Sequence, residues 1–129
     1  MSLAQFDERN PSTIVVVFAA ADTTTFKNVK TGATAGSRVD DILLSNSGVA
    51  ARNVELRITY GATLGIIGSV TVPPGAGYAG VPAVSAGATL LPTLHAGWLL
   101  ASLSILAAHV TVTMGAAEEV HLTAFGGDF

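Results

Sequence analysis

ARNVELRITY, residues 51–60, sets Val54, Leu56, Ile58 and Tyr60 at every second position and Asn53, Glu55, Arg57 and Thr59 between them. Successive side chains of a strand point to opposite faces, so this is the pattern of a strand with one dry face and one wet face. Upstream, residues 38–45 read as a strand closed by the turn Asn46-Ser47-Gly48, and TGATAGS (31–37) is a turn cluster. Residues 23–30 form a Thr-rich strand candidate, and TIVVVFAA (13–20) is a continuous β-branched run. Such a run is the signature of a strand buried on both faces.

Downstream, residues 64–72 continue as strand until Pro73-Pro74-Gly75-Ala76-Gly77 forces a loop. Shorter strands are predicted at 78–84 and 88–94, around Ser85-Ala86-Gly87. Residues 98–106 are assigned as strand or irregular. A short helix within 97–108 is the alternative, since Trp98, Leu99, Leu103 and Leu106 fit one helical face. At the end, Val110, Val112 and Met114 alternate with threonines, Gly115-Ala116-Ala117 turns, and Val120, Leu122 and Ala124 alternate with Glu119, His121, Thr123 and Phe125. This predicts a β-hairpin. Eight to nine short strands with regular turn signals make one all-β domain, a β-sandwich or jelly roll over 13–129, behind a flexible arm at 1–12.

Charge is scarce and segregated. Only 12% of the 129 residues are charged, against roughly a quarter in ordinary domains. Residues 58–117 contain no Asp, Glu, Lys or Arg at all. Monomers scatter charge over their surface to resist association, so this tract is expected to meet other protein. Six basic residues and a net charge of −3 argue against a nucleic-acid partner. The window 97–117 is long enough to span a bilayer, but Ser102, Ser104, His109, Thr111 and Thr113 interrupt it and no basic cluster flanks it, so no membrane partner is expected. There is no cysteine, hence no disulfide or thiolate site. MSLAQFDERNPS has early acids and no apolar core, so it does not read as a secretory signal, and an intracellular site of synthesis is expected.

The segments TTTFKNVKTGATAGSRVDDILLSNSGVAARNVELRI, VTVPPGAG and ILAAHVTVTMGAAEEVHLTAFGG carry a further pattern. A Thr-rich strand, a Gly-containing turn, a strand ending in Ser-Asn-Ser-Gly, an alternating strand, a Val-Pro-x-Gly loop and a closing hairpin follow in that order. Over residues 23–127 the chain resembles the small β-sandwich structural proteins of tailed bacteriophages, which serve as capsid decoration, minor capsid, head–tail or tail accessory proteins. The resemblance implies a virion location, homo-oligomers with a trimer favoured, and contacts to the major capsid protein or other virion proteins. The segment 1–11 suits an arm that docks on a neighbour.

Chemistry is thin. No Gly-x-Ser-x-Gly elbow, phosphate loop or His-Glu-x-x-His is present, so no enzyme activity and no cofactor are expected. His95, His109 and His121 with Glu119 are the one conceivable metal set, and Glu119 and His121 share a strand face. The polar half of an alternating strand explains that pair as well. Asp40 and Asp41 are adjacent and point to opposite faces, so they cannot act as a carboxylate pair without a bulge. Asp40 is instead a candidate interfacial charge for Arg38, Arg52 or Arg57, with a solvated turn charge as the plainer reading. Trp98 suits the core first and a subunit contact second; Tyr78, between Gly77 and Gly80, is a comparable case. With Phe6 and His121, these are the interface candidates. The expected function is a non-catalytic virion subunit, a decoration or minor capsid protein. A head–tail or tail accessory protein, or a carbohydrate- or receptor-binding module using Trp98 and Tyr78, is the alternative.

Overall fold

The computed structural model describes residues 10–78, 80–90 and 98–129. Along the chain it runs β1 (Asn10–Ala19), a single 3-10 turn (Ala20–Asp22), β2 (Lys27–Thr31), β3 (Ser37–Asn46), β4 (Arg52–Tyr60), β5 (Thr63–Val72), β6 (Val84–Ser85), helix α1 (Ala86–Leu90), β7 (Trp98–Leu100), β8 (Ile105–Val110) and β9 (Glu119–Asp128). The first sheet has the order β1-β9-β3-β6, with β7 beside β6 on the same side of β3; the second has β2-β8-β4-β5. Every pairing is antiparallel.

Apart from the three-residue β7, the pairs nest: β1 with β9, β2 with β8, β3 with β6, β4 with β5. Folding the chain back on itself in this way, and wrapping it into two layers, is the topology of a jelly roll. The all-β sandwich expected from the sequence is therefore the observed fold. Connections 20–26, 47–51, 73–83 and 111–118 gather at one end, the loop end. The β4–β5 turn, residues 32–36 and residues 101–104 lie at the other, the hairpin end.

Alternation puts the core between the layers. Ile42 and Leu44 of β3, Val54 and Leu56 of β4, Leu106 and Val110 of β8, and Val120 and Leu122 of β9 are all buried, with Phe18 of β1 and Val70 and Val72 of β5. Burying each such side chain contributes about 1.5–3 kcal/mol. In β4 the alternation holds through Leu56 and then opens: Ile58 is half-buried and Tyr60 exposed. The reason is the register. The last β8 partner of β4 is Ile105, opposite Thr59, so Tyr60 faces only Thr63 of β5. The turn between them is two residues, Gly61 and Ala62, and the positive φ of Gly61 (61°) suits the first position of a type II′ turn.

Four expectations need correction. β1 is an edge strand: its outward residues are open and Val15 is 59% exposed, so the apolar run 13–20 is not buried on both faces. Periodicity cannot separate a doubly buried strand from one whose outer face awaits cover. β1 also starts at Asn10, pairing it with Asp128, so residues 10–12 belong to the sandwich rather than to an arm. Of the predicted strands at 78–84 and 88–94, the first reduces to the two-residue β6, and 88–90 belong to the helix α1, which packs against both β3 and β5; 91–94 lie outside the described residues. Finally, residues 110–125 are not a hairpin. β8 and β9 lie in different sheets, and 111–118 crosses between them. Within 98–108 the chain is strand, turn and strand.

Asn46, fully buried, ties the loop end together. Its side-chain amide donates to the carbonyls of Ala50 (2.8 Å) and Val72 (3.2 Å), and its side-chain oxygen accepts from Gly48 N–H (2.9 Å). Its own N–H donates to Ala76 O at 3.0 Å. Asn46→Ala strands two buried backbone groups, Val72 C=O and Gly48 N–H, and frees the carbonyl of the exposed Ala50. Urea unfolding should show a loss of about 2–3 kcal/mol; a change under about 0.5 kcal/mol would remove Asn46 as the organiser of these loops.

Candidate interaction surface

The few charges are drawn to the seams between sheets. Lys27 of β2 reaches Asp22 (2.9 Å) and donates to Val17 O on the free edge of β1 (2.7 Å). Lys30 of β2 meets Asp128 of β9 at 2.8 Å, and Asp128 also accepts from the Ser37 hydroxyl at 2.7 Å. Arg52 of β4 meets Glu118, next to β9, at 3.0 Å. Other pairs among the described residues stay within one sheet: Arg38–Asp40 (2.7 Å), Glu55–His109 (3.2 Å) across β4 and β8, and Glu119–His121 (3.1 Å).

The interface candidates read from the sequence are not brought together. Phe6 lies outside the described residues. Asp40 occupies a β-bulge of β3 and pairs with Arg38 of its own strand, so it needs no arginine from elsewhere. Tyr78 sits partly exposed in the β5–β6 loop, at the loop end. His121 is on the outer face of the first sheet. Trp98, by contrast, is only 8% exposed and belongs to the core cluster, so the contact reading gives way to the core one. The conceivable metal set is also divided. His95 is outside the described residues, and His109 and His121 stand on different sheets. Among the described residues no three His, Cys, Asp or Glu are grouped to hold a metal ion.

His109 belongs instead to a cluster that sequence reading missed. Its Nδ1 donates to Thr24 O (2.8 Å) and its ring stacks on Phe26 at 3.8 Å between centroids. The Arg57 guanidinium lies 3.6 Å over the same phenyl ring, so Phe26 is held between the two. The cluster pins the β1–β2 connection to the outer face of the second sheet.

Exposed apolar side chains form the other surface feature. Among the described residues, eight of the eleven large exposed apolar side chains fall in the uncharged tract. Tyr60, Leu64, Ile66, Leu99 and Leu103 lie at the hairpin end; Tyr78, Val81 and Val112 lie at the loop end. The tract is therefore not neutral because it is internal: it supplies surface. Leu103 is the sharpest case. It is 75% exposed and holds a left-handed backbone (φ 64°) in the turn closed by Ser104 N–H to Ala101 O, 3.1 Å. That position favours Gly or Asn, and leucine there costs on the order of 1 kcal/mol. Within the chain, its mostly exposed side chain recovers little of this.

No protein-family model matches the chain, and no curated protein matches it in sequence. No helix among the described residues is long and apolar enough to cross a membrane.

Two measurements follow from this surface. Leu103→Asn relieves the backbone and should raise stability by about 1 kcal/mol in denaturant unfolding; a loss of that size would mean the leucine is held by its own chain. The Asp128 carboxyl is held below the ordinary carboxylate range first by Lys30 and then by the Ser37 hydroxyl, with burial opposing. The folded state thus binds fewer protons here than the unfolded state. Its contribution is present above the ordinary value of about 3.9 and is lost as pH falls through the lower folded value. Asp128→Asn should lower Tm at pH 7, and the gap to the unsubstituted protein should close below about pH 3.9. A gap constant with pH would contradict the clasp.

Proposed function

We propose that this protein is a non-catalytic structural subunit that works in a larger assembly, and that the assembly is a viral particle of the tailed-phage kind. The observation that carries this is the uncharged tract presenting exposed apolar side chains at both ends of the sandwich. Apolar patches beyond a few hundred Å² are a liability on a monomer and an interface in an oligomer. A jelly roll is compatible with this role without implying it, since fold alone does not assign function. The resemblance to phage decoration and minor capsid proteins supplies the virion setting, with sibling subunits and shell proteins as partners and neither nucleic acid nor membrane among them. A head–tail or tail accessory role uses the same surfaces. The carbohydrate-binding alternative is weaker, because Trp98 sits in the core and the exposed Tyr60 and Tyr78 are at opposite ends, which leaves no aromatic platform.

Light scattering of the full chain at micromolar concentration should return a multiple of 13.0 kDa. A 13.0 kDa monomer that stays in solution would overturn the assembly reading. In particles purified from its source, mass spectrometry should find the chain in stoichiometric amount; its absence there removes the virion role and leaves the assembly.

A further inference from the structure

We infer that the outer edge of β5, unpaired among the described residues, is where this chain pairs with a second copy of itself, strand against strand, across a two-fold axis near Gly65. This rests on the assembly reading above and specifies the surface that carries it.

Sheet edges invite pairing, and proteins blunt them with lysines, prolines, bulges, short strands or a covering element. Three of the four edges here are blunted. Lys27 occupies the Val17 carbonyl on β1. β2 is five residues long, carries Lys27 and Lys30, and has a register shift. Beyond β3, among the described residues, the only strands are the two-residue β6 and the three-residue β7. β5 is different: ten residues with no charge and no proline. Its far half shifts register past Ile67 and is met by helix α1, whose Leu90 lies against Gly68. Its near half, residues 63–66, is exposed throughout, with Leu64 at 47% and Ile66 at 58%.

Backbone direction makes this half competent to pair. A two-residue turn leaves Tyr60 and Thr63 as a hydrogen-bonded pair, so Leu64 and Ile66 direct their N–H and C=O away from β4. Antiparallel pairing about Gly65 sets Leu64 opposite Ile66 of the second copy, and Ile66 opposite its Leu64. Two narrow pairs then form about four backbone hydrogen bonds, and the exposed Leu and Ile pack as cross-strand pairs on the outer face. The two second sheets join into one.

The occupant is a copy rather than a foreign strand because the surface is electrically blank. Residues 58–117 offer no charge for a charged partner to complement. The nearest, Arg57 opposite Ile66, is folded over Phe26. A neutral edge centred on glycine is complementary to itself, and a two-fold contact closes without propagating. The result is a dimer, or an even-numbered assembly built from it, in place of the trimer implied by the family resemblance.

The chain has no cysteine, so one introduced thiol is a clean probe. A Cβ at residue 65 meets only Ile58 O, at 3.8 Å. Across the axis, the wide antiparallel pair brings Cα atoms to about 4.5 Å, within disulfide range. Mild oxidation of full-length Gly65→Cys should therefore convert most of it to covalent dimer, while Val49→Cys, exposed at the other end, should not exceed trace dimer. Ile66→Lys should weaken dimerisation at least tenfold in sedimentation equilibrium while keeping the thermal midpoint of the dilute, monomeric native chain. If the native chain is oligomeric but Gly65→Cys fails to cross-link, or Ile66→Lys leaves the affinity unchanged, the β5 edge is overturned and the assembly reading survives. A monomeric native chain overturns both.

Discussion

The ladder between β1 and β9 closes this molecule. Ten consecutive residue pairs, from Asn10 with Asp128 to Ala19 with Glu119, run without a shift in register. Everything else is nested inside that pairing, so the conformational entropy of closing a loop of about a hundred residues is opposed at this one place. β9 also pairs along its other side with β3, which makes it the central strand and directs Val120, Leu122 and Ala124 into the core. The geometry is exacting where β3 bulges at Asp40. Gly126 faces that bulge, and a Cβ there would collide with the Arg38 carbonyl. The glycine lets a central strand and a bulged neighbour stay paired.

A two-layer sandwich of this size has no second core with which to cover its outer faces, so those faces depend on polarity or on other molecules. The chain's charges do little of that covering. Lys30–Asp128 and Arg52–Glu118 tie one sheet to the other, and Asp22–Lys27 braces the connection that passes between them; each is partly shielded. Exposed pairs contribute about 0–1 kcal/mol, so their role is to hold the seams in register more than to supply stability. The surface supplied by residues 58–117 has no Asp, Glu, Lys or Arg of its own.

The sequence was legible where alternation met two-sided packing. β3, β4 and β5 were readable within a residue or two because Ile42, Leu44, Val54, Leu56, Val70 and Val72 repeat at period two and each meets the facing sheet. The errors share one cause: alternation reports which face a residue takes and not which strand lies beside it. Val110–Thr111–Val112 and Val120–His121–Leu122 alternate alike whether they form one hairpin or belong to opposite sheets. TIVVVFAA looks the same in a central strand and at an open edge. The candidate surface was legible only as a tract. The missing charges were visible, but the left-handed turn at Leu103 and the uncovered start of β5 depend on registers set by residues far away.

Under the proposed subunit reading, the strained and exposed positions at the hairpin end need not be optimal for an isolated chain. Leu103 holds a left-handed backbone and an open side chain at the hairpin end, where Tyr60, Leu64 and Ile66 are also uncovered. Substituting any of these with a polar residue would suit water better in an isolated sandwich. For a subunit the comparison is different, because the reference state is the assembled one, and free energy forgone in the monomer is recovered in the contact. The loop end departs from local propensity as well, with positive φ at Thr23 (53°) and Ala117 (63°), but it is bound through Asn46. On the proposed subunit reading, both ends then offer apolar surface to neighbours, and Asn46 holds the loop end in the shape that does so.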